Sequence, residues 1–404
     1  MSHQPLKPGG IPFLRKIKPS YLVLLALVPL FIYLFTQNKL YKEAFIFILP
    51  GLKMTLALSI SGYLLASVLG LLVAGMQFLV AKPRTLINYT VAGLILVAIS
   101  LSLLRVPQNT YVLVGEATGT IAIIKNTPKE VSDPIRSGAY SETAGKRKFR
   151  AVPTAEIALE RLNDPNYNYT AVLIPKDKVP ADSNIVWEKS VMSQNVKNAF
   201  MLLLGLGVFT LLLCFGSWHS GEHPLTIFAE LYIDLIRGIP MLVLIIFIGL
   251  ILPGVLQKMN ILFEPENEFL RNLQRGTAAI GLAYAAYMAE IFRAGIQAIP
   301  KGQLEAGRSI GLTGTQVVRF IILPQALKIV MPPLGNEFIA MLKDTAIISL
   351  IGAGELARKS REFGAAKLNN LPPYYTVSFI YVLLTLSASS ILKWLEKRTN
   401  TEER

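Results

Sequence analysis

The sequence predicts an all-α integral membrane protein of about eight transmembrane helices, into which a small α/β domain is inserted. Three observations lead there. Hydrophobic residues make up 52% of the chain and charged residues only 16%, and the mean hydropathy is positive. Several uncharged runs are long enough to cross about 30 Å of hydrocarbon as helices. Between the third and fourth runs lies a stretch of mixed, soluble composition, 106–195.

In order along the chain, residues 1–20, with Pro5, Pro8, Gly9 and Gly10, read as a disordered cytoplasmic lead. The first apolar run, 21–36, is short. Its end, Leu30 to Phe35, offers no small-x-small cleavage site, so an uncleaved anchor is expected rather than a signal peptide. An outer loop is expected over 37–43, and Pro50-Gly51 is expected to break the chain before a long helix. Further spans are read at 54–81, 86–104, 198–218, 238–257 and 374–392. Two more are weaker: 276–292 carries Glu290, and 325–342 carries Lys328, Glu337 and Pro332-Pro333. Transmembrane helices therefore occupy 21–105 and 196–396, with a short tail at 397–404.

A net charge of +14 invites a nucleic-acid reading, but the basic residues sit where a bilayer favours them. Lys7, Arg15, Lys16 and Lys18 precede the first run, Lys82 and Arg84 fill the tight second turn, and Lys393, Lys397 and Arg398 follow the last. The positive-inside rule makes all three groups cytoplasmic. That requires an even number of crossings, puts both termini inside, and leaves no nucleic acid as partner. The single Cys214 lies in a span and implies no disulfide framework.

The stretch 106–195 follows an odd number of crossings and is expected outside. β-Branched content marks strands at 111–114, 120–124, 149–152 and 170–174. Residues 155–162 read as a helix capped by Thr154, with Ile157, Ala158 and Leu162 at helical spacing. After the fourth span, 218–224 reads as a cytoplasmic turn and 225–237 as an amphipathic helix. His219 and His223 stand four apart, but Gly221 and Pro224 discourage a helix there, and no metal site is expected.

The chain is organised around 297–324. Glu305-Ala306-Gly307, then Gly311, then Ile321-x-Leu323-Pro324 resembles the coupling loop of ATP-binding-cassette (ABC) importer permeases. Ala306, Gly307 and Gly311 would let another protein's surface come close. Gly311 can end the helix in a left-handed conformation, and Pro324 can start the next. Gly307 departs from the alanine usual in the family, at roughly 1 kcal/mol of helix propensity. The alternative is an ordinary amphipathic connector. Four further stretches resemble permeases of polar amino-acid importers: Leu49-Pro50-Gly51-Leu52-Lys53-Met54-Thr55-Leu56; Tyr232 to Pro240, with Asp234, Arg237 and Gly238; Tyr287 to Gly295, with Glu290 and Arg293; and Leu334 to Thr345. The likeness covers about 50–80 and 225–395. An insertion of roughly 140 residues separates the two parts, as in the enlarged permeases of broad-specificity amino-acid importers. Within it, the segments starting at Gly119, Ala155 and Tyr169 look like one lobe of a solute-binding protein; the alternative is a spacer that binds nothing.

What the resemblance implies is the permease subunit of a type I amino-acid importer of the histidine/glutamine/arginine kind, in a bacterial inner membrane. No G-x4-G-K-[S/T] is present, and Gly354 to Lys359-Ser360 lacks the second glycine, so ATP and Mg would be held by a separate ATPase dimer. A second permease is implied, more readily a related chain than a copy, with an extracytoplasmic solute-binding protein delivering an amino acid. Glu305 would pair with a basic residue of the ATPase, with Ala306, Gly307, Arg308, Gly311 and Pro324 shaping the contact; otherwise Glu305 is a solvated surface acid. Asn336 and Glu337, polar within a span, are pathway candidates or structural hydrogen-bonders; Tyr284, Met288, Lys343 and Asp344 join them. Asp234, Arg237, Gly238, Pro240, Glu290 and Arg293 form a structural motif in which Glu290 and Arg293 pair with each other. Pro240 would kink the helix entry. Small residues at Ala278, Gly281, Ala285 and Ala289 give one helix a close-packing face. A secondary carrier should show an internal repeat of its spans, and a sensor a cytoplasmic signalling domain; neither is read here.

Overall fold

The computed structural model describes residues 38–106, 108–116, 119–125, 127–139, 148–162, 164–181, 183–259 and 262–400, with Pro29 and Tyr33. The expected lead 1–20, the apolar run 21–36 apart from Pro29 and Tyr33, and residues 401–404 lie outside the described residues. In chain order the elements are α1 (Lys39–Ile48), α2 (Gly51–Met76), α3 (Pro83–Ser102), β1 (Asn109–Gly115), β2 (Thr120–Ile124), α4 (Lys129–Ser137), β3 (Lys148–Val152) and α5 (Ala155–Leu162). There follow β4 (Tyr169–Pro175), β5 (Ile185–Val191), α6 (Gln194–Ser220), α7 (Pro224–Gly238), α8 (Met241–Ile246), α9 (Leu252–Lys258) and α10 (Glu268–Gln297). The chain ends with α11 (Lys301–Ser309), α12 (Gly314–Val317), α13 (Leu323–Ile348), α14 (Leu356–Lys367) and α15 (Leu371–Asn400). The chain divides into two compact units, residues 81–224 and the remainder.

Among the described residues five helices are long and apolar enough to cross a membrane, and six if α7 and the α8–α9 segment, bent by 109°, count as one broken span. The sequence led us to expect about eight. One of those lies outside the described residues. Another, 276–292, forms the middle of α10 but is not among the apolar spans, because its small face is turned to protein rather than lipid. Ala279, Ala283, Ala285, Ala286 and Ala289 are all fully buried.

In the larger unit α2 packs along α10. A Cβ on Gly70 would come 3.0 Å from the Ala285 carbonyl and 2.8 Å from Met288 Cβ, so only glycine admits this approach. Ser61 and Thr277 hydroxyls meet across the seam at 2.6 Å. The expected loop at 37–43 is helix from Lys39 onward, because Asn38 Oδ1 accepts from Leu40 N and caps it. Pro50 breaks little: Leu49 and Pro50 both keep right-handed helical dihedrals, since a proline in a first turn surrenders no bonded N–H. α1 is held by Ala44 and Ile48 against Leu356 and Phe363 of α14 and Val377 and Ile380 of α15. Buried Glu355 caps α14, accepting from the Ala357 and Arg358 amides at 2.8 and 2.7 Å and from Tyr381 Oη at 2.8 Å. Burial pushes its carboxyl above the usual range, against those three donors. α15 continues as helix through Asn400, past the expected start of the tail at 397.

The second unit is a helical hairpin, α3 with α6, carrying an α/β sheet. Gly93 and Gly207 face each other, a Cβ on Gly207 falling 3.1 Å from the Gly93 carbonyl, and Ser100 Oγ donates to the Phe200 carbonyl at 3.2 Å. The sheet order is β3-β2-β4-β1-β5, with β2 parallel to β3 and β4, and β1 antiparallel to β4 and β5. Alternation along β1 puts Leu113 on one face with Val131 and Ile135 of α4. Val112 and Val114 lie on the other face with Ala155 and Ala158 of α5. β5 and α4 were not anticipated: β5 carries Glu188, Lys189 and Ser190, and α4 contains Pro134. α6 runs through Ser220, so the expected turn at 218–224 shrinks to Gly221, with φ +75°, and its neighbours.

Candidate functional site

The segment 297–324 folds as a helix laid against the start of a longer one. α11 ends at Ser309 and Gly311 takes φ +85°. The Leu312 amide then donates back to the Gly307 carbonyl at 3.1 Å. Thr313 opens α12 through a capping box: its Oγ1 accepts from Gln316 N at 3.4 Å, and Gln316 Oε1 accepts from Thr313 N at 2.8 Å. From there helix is continuous into α13, so Pro324 does not start it. Instead Val318–Ile322 forms a π-turn just ahead of the proline, which lets the missing N–H pass without breaking the helix. A second π-turn, Phe247–Ile251, precedes Pro253 of α9 in the same way.

Glu305, Ala306, Arg308 and Gly311 are exposed, whereas Gly307 is buried. A Cβ there would come 2.5 Å from Ile321 Cδ1 and 3.2 Å from Val317 Cγ2. The expectation that Gly307 offers a small surface to a partner is therefore corrected: it faces inward, and its missing methyl lets α11 press on the α12–α13 helix. Sequence reasoning missed Ile310, 77% exposed at the tip of α11. A lone apolar residue between Ser309 and Gly311 was the available signal.

On α13, Asn336 and Lys343 lie two turns apart and are both exposed, while Glu337 and Asp344, also two turns apart, are half-buried. Tyr284 of α10 donates to Asp344 Oδ2 at 2.7 Å. Met288 belongs elsewhere: it is fully buried in the α2–α10 seam, where Ser67 Oγ donates to its sulfur at 3.4 Å. Glu290 pairs with Arg293 at 3.1 Å as expected, and also with Arg237 at 3.4 Å, which joins α7 to α10. Tyr232 Oη adds a bond to the Leu282 carbonyl at 2.5 Å. Asp234 is exposed. Gly238-Ile239-Pro240 is a sharp corner rather than a kink: α7 stops at Gly238 and Pro240 caps α8. His219 is exposed, whereas His223 is buried with its ring 5.7 Å from Tyr89; no metal-binding cluster occurs among the described residues.

Residues 220–401 match the family described as "Binding-protein-dependent transport system inner membrane component". The chain is 35% identical to the glutamine transport system permease protein GlnP of Escherichia coli (strain K12), over 46% of this chain and 78% of that protein. The chain belongs to this permease family. It is also 36% identical to the L-cystine transport system permease protein TcyB of Bacillus subtilis (strain 168), over 44% of this chain and 72% of the relative. A solved amino acid ABC transporter with histidines shares 36% identity over 47% of this chain and 84% of that chain, with a TM-score of 0.38. The family match begins at residue 220 and so starts beyond the α/β sheet. The protein is a multi-pass membrane permease subunit of an ABC importer; in this family the ATPase is a separate subunit.

Proposed function

We propose that this permease carries amino acids inward, with α11 seated in a cleft of a separate ATPase, a second permease beside it, and a solute-binding protein delivering cargo. Both termini lie in the cytoplasm, and the α/β domain faces outside, where it forms part of the docking surface for the binding protein. The observation that best supports the coupling role is the build of α11: braced from behind at Gly307, it presents Glu305, Ala306, Arg308 and Ile310 to solvent. The cargo class rests on the relatives' names, glutamine and L-cystine among them. For the pathway, an uncompensated lysine inside hydrocarbon costs about 3 kcal/mol, so the exposed Asn336–Lys343 face of α13 calls for a second subunit or water beside it. Glu337, Asp344 and Tyr284 then line the route. Pull-down of tagged protein from membranes, wild type against Glu305→Arg, tests the coupling role. Loss of a co-purifying ATPase with the variant alone is the expected result; no ATPase with either would remove the reading.

A further inference from the structure

The α/β domain leaves the membrane by two short junctions. Only 106–108 separate Arg105, at the end of one apolar span, from β1, and only 192–193 separate β5 from α6. At about 3.5 Å per residue, this end of the sheet cannot rise more than roughly 10–14 Å above the ends of the spans. Asn109 of β1 pairs with Val191 of β5 at this end. Because β4 runs antiparallel to β1, and β2 and β3 run parallel to β4, the carboxyl ends of all three parallel strands point back toward the membrane. Pro175 of β4 pairs with Tyr111, two residues up β1 from Asn109, or about 7 Å. Lys125, which follows β2, and Lys129, which opens α4, belong to this same edge.

The charges there are unbalanced. Lys176 meets Glu188 at 2.7 Å and Lys178 meets Glu156 at 2.8 Å; the Lys178 hydrogen bond holds Glu156 down to about 2. Lys197 pairs with Glu130, and Lys189 donates to the Glu130 carbonyl at 2.8 Å. Arg105, Lys125 and Lys129 are exposed and take no ion pair among the described residues. Against them stand two exposed acids: Asp177, beside a recess of ≈ 450 Å³ lined by Asn109, Tyr111 and Lys176 among others, and Asp133, one turn along α4 from Lys129.

We propose that this carboxyl edge, through Arg105, Lys125 and Lys129, is a docking surface for the phosphate headgroups of anionic phospholipid in the leaflet from which α3 and α6 emerge. The junction lengths bring the edge close to a headgroup layer roughly 5–7 Å deep, and the long cationic side chains cover the remaining gap. A lysine near an anionic surface contributes about fivefold in binding, screened beyond about 10 Å. The domain is thereby held upright on its hairpin by lipid as well as by its junctions.

The test uses the full chain in a Cys214→Ser background, with a fluorophore at Asp133→Cys, one turn along α4 from Lys129. It is reconstituted in phosphatidylcholine vesicles with and without phosphatidylglycerol, and quenching by a headgroup-nitroxide lipid is measured. Quenching should rise several-fold with phosphatidylglycerol and return to the phosphatidylcholine level in Lys125→Glu/Lys129→Glu or at high salt. A label at Asn168→Cys, on the far edge, should stay unquenched in every case and reports that the domain is folded. Equal quenching in both lipids, or a lipid dependence that survives the double reversal, overturns the proposal. Low quenching throughout also overturns it, by placing the edge against protein.

Discussion

At the scale of single residues, two side-chain contacts make separable claims. Gly307→Val would drive a branched Cβ into Ile321 and Val317, lifting α11 off the helix behind it. Uptake in vesicles should fall at least tenfold at unchanged expression, and Ile321→Ala in the same chain should restore part of it; a variant with normal uptake would show that the bracing is incidental. The second claim concerns Glu264, whose carboxylate is nearly buried and bound by Arg275 Nε and Nη2 at 2.7 and 2.6 Å. Those bonds hold Glu264 below the usual glutamate range. Its stabilisation is therefore full above that range and is lost as pH falls through the lowered folded-state value. Glu264→Gln should cost about 2 kcal/mol at neutral pH, with the difference in thermal midpoint closing in acid. The left-handed turn at Gly311 could be stated from spacing because a polar helix ending in glycine is a local pattern. That Gly307 faces inward could not, because the residues it meets, Val317 and Ile321, lie on a different helix.

Among the elements, the two π-turns stand out because each precedes a proline by the same short interval. An α-helix in place of the π-turn at Val318–Ile322 would hold one residue fewer in that turn and rotate α11 and α12 about 100° relative to α13. Pro324→Ala restores the missing N–H and relieves roughly 3 kcal/mol of helix penalty. The protein should then be as stable as wild type or more so, yet transport several-fold more slowly; unchanged uptake would mean the rotation is unimportant. Helices with a strong apolar pattern were legible in sequence, α2, α3, α6 and α15 among them. α4 and β5 were not, because a nine-residue helix with an internal proline and an edge strand interrupted by Glu188 and Lys189 carry little periodicity. Their identity is set by the sheet they complete.

The whole molecule is a family permease with a second unit set into it. Replacing 108–193 by a short linker should leave a purifiable protein, since α2 and α10 pack within the other compact unit, and should abolish stimulation of ATPase by the binding protein. Full stimulation without the domain would remove its docking role. The soluble composition of 106–195 was legible in the sequence, whereas the number of spans was not: burial inside protein lets α10 dispense with the apolarity that a hydropathy count requires. The position of α2 has a further consequence, for synthesis. Its partner α10 lies roughly two hundred residues downstream, and at ribosomal speeds of about 5–20 residues per second it emerges some 10–40 s later. Through that interval the glycine-notched side of α2, shaped for another helix, stands open to lipid. The nascent chain passes through a stage in which its first buried seam has only one side, and the insertion lengthens that wait.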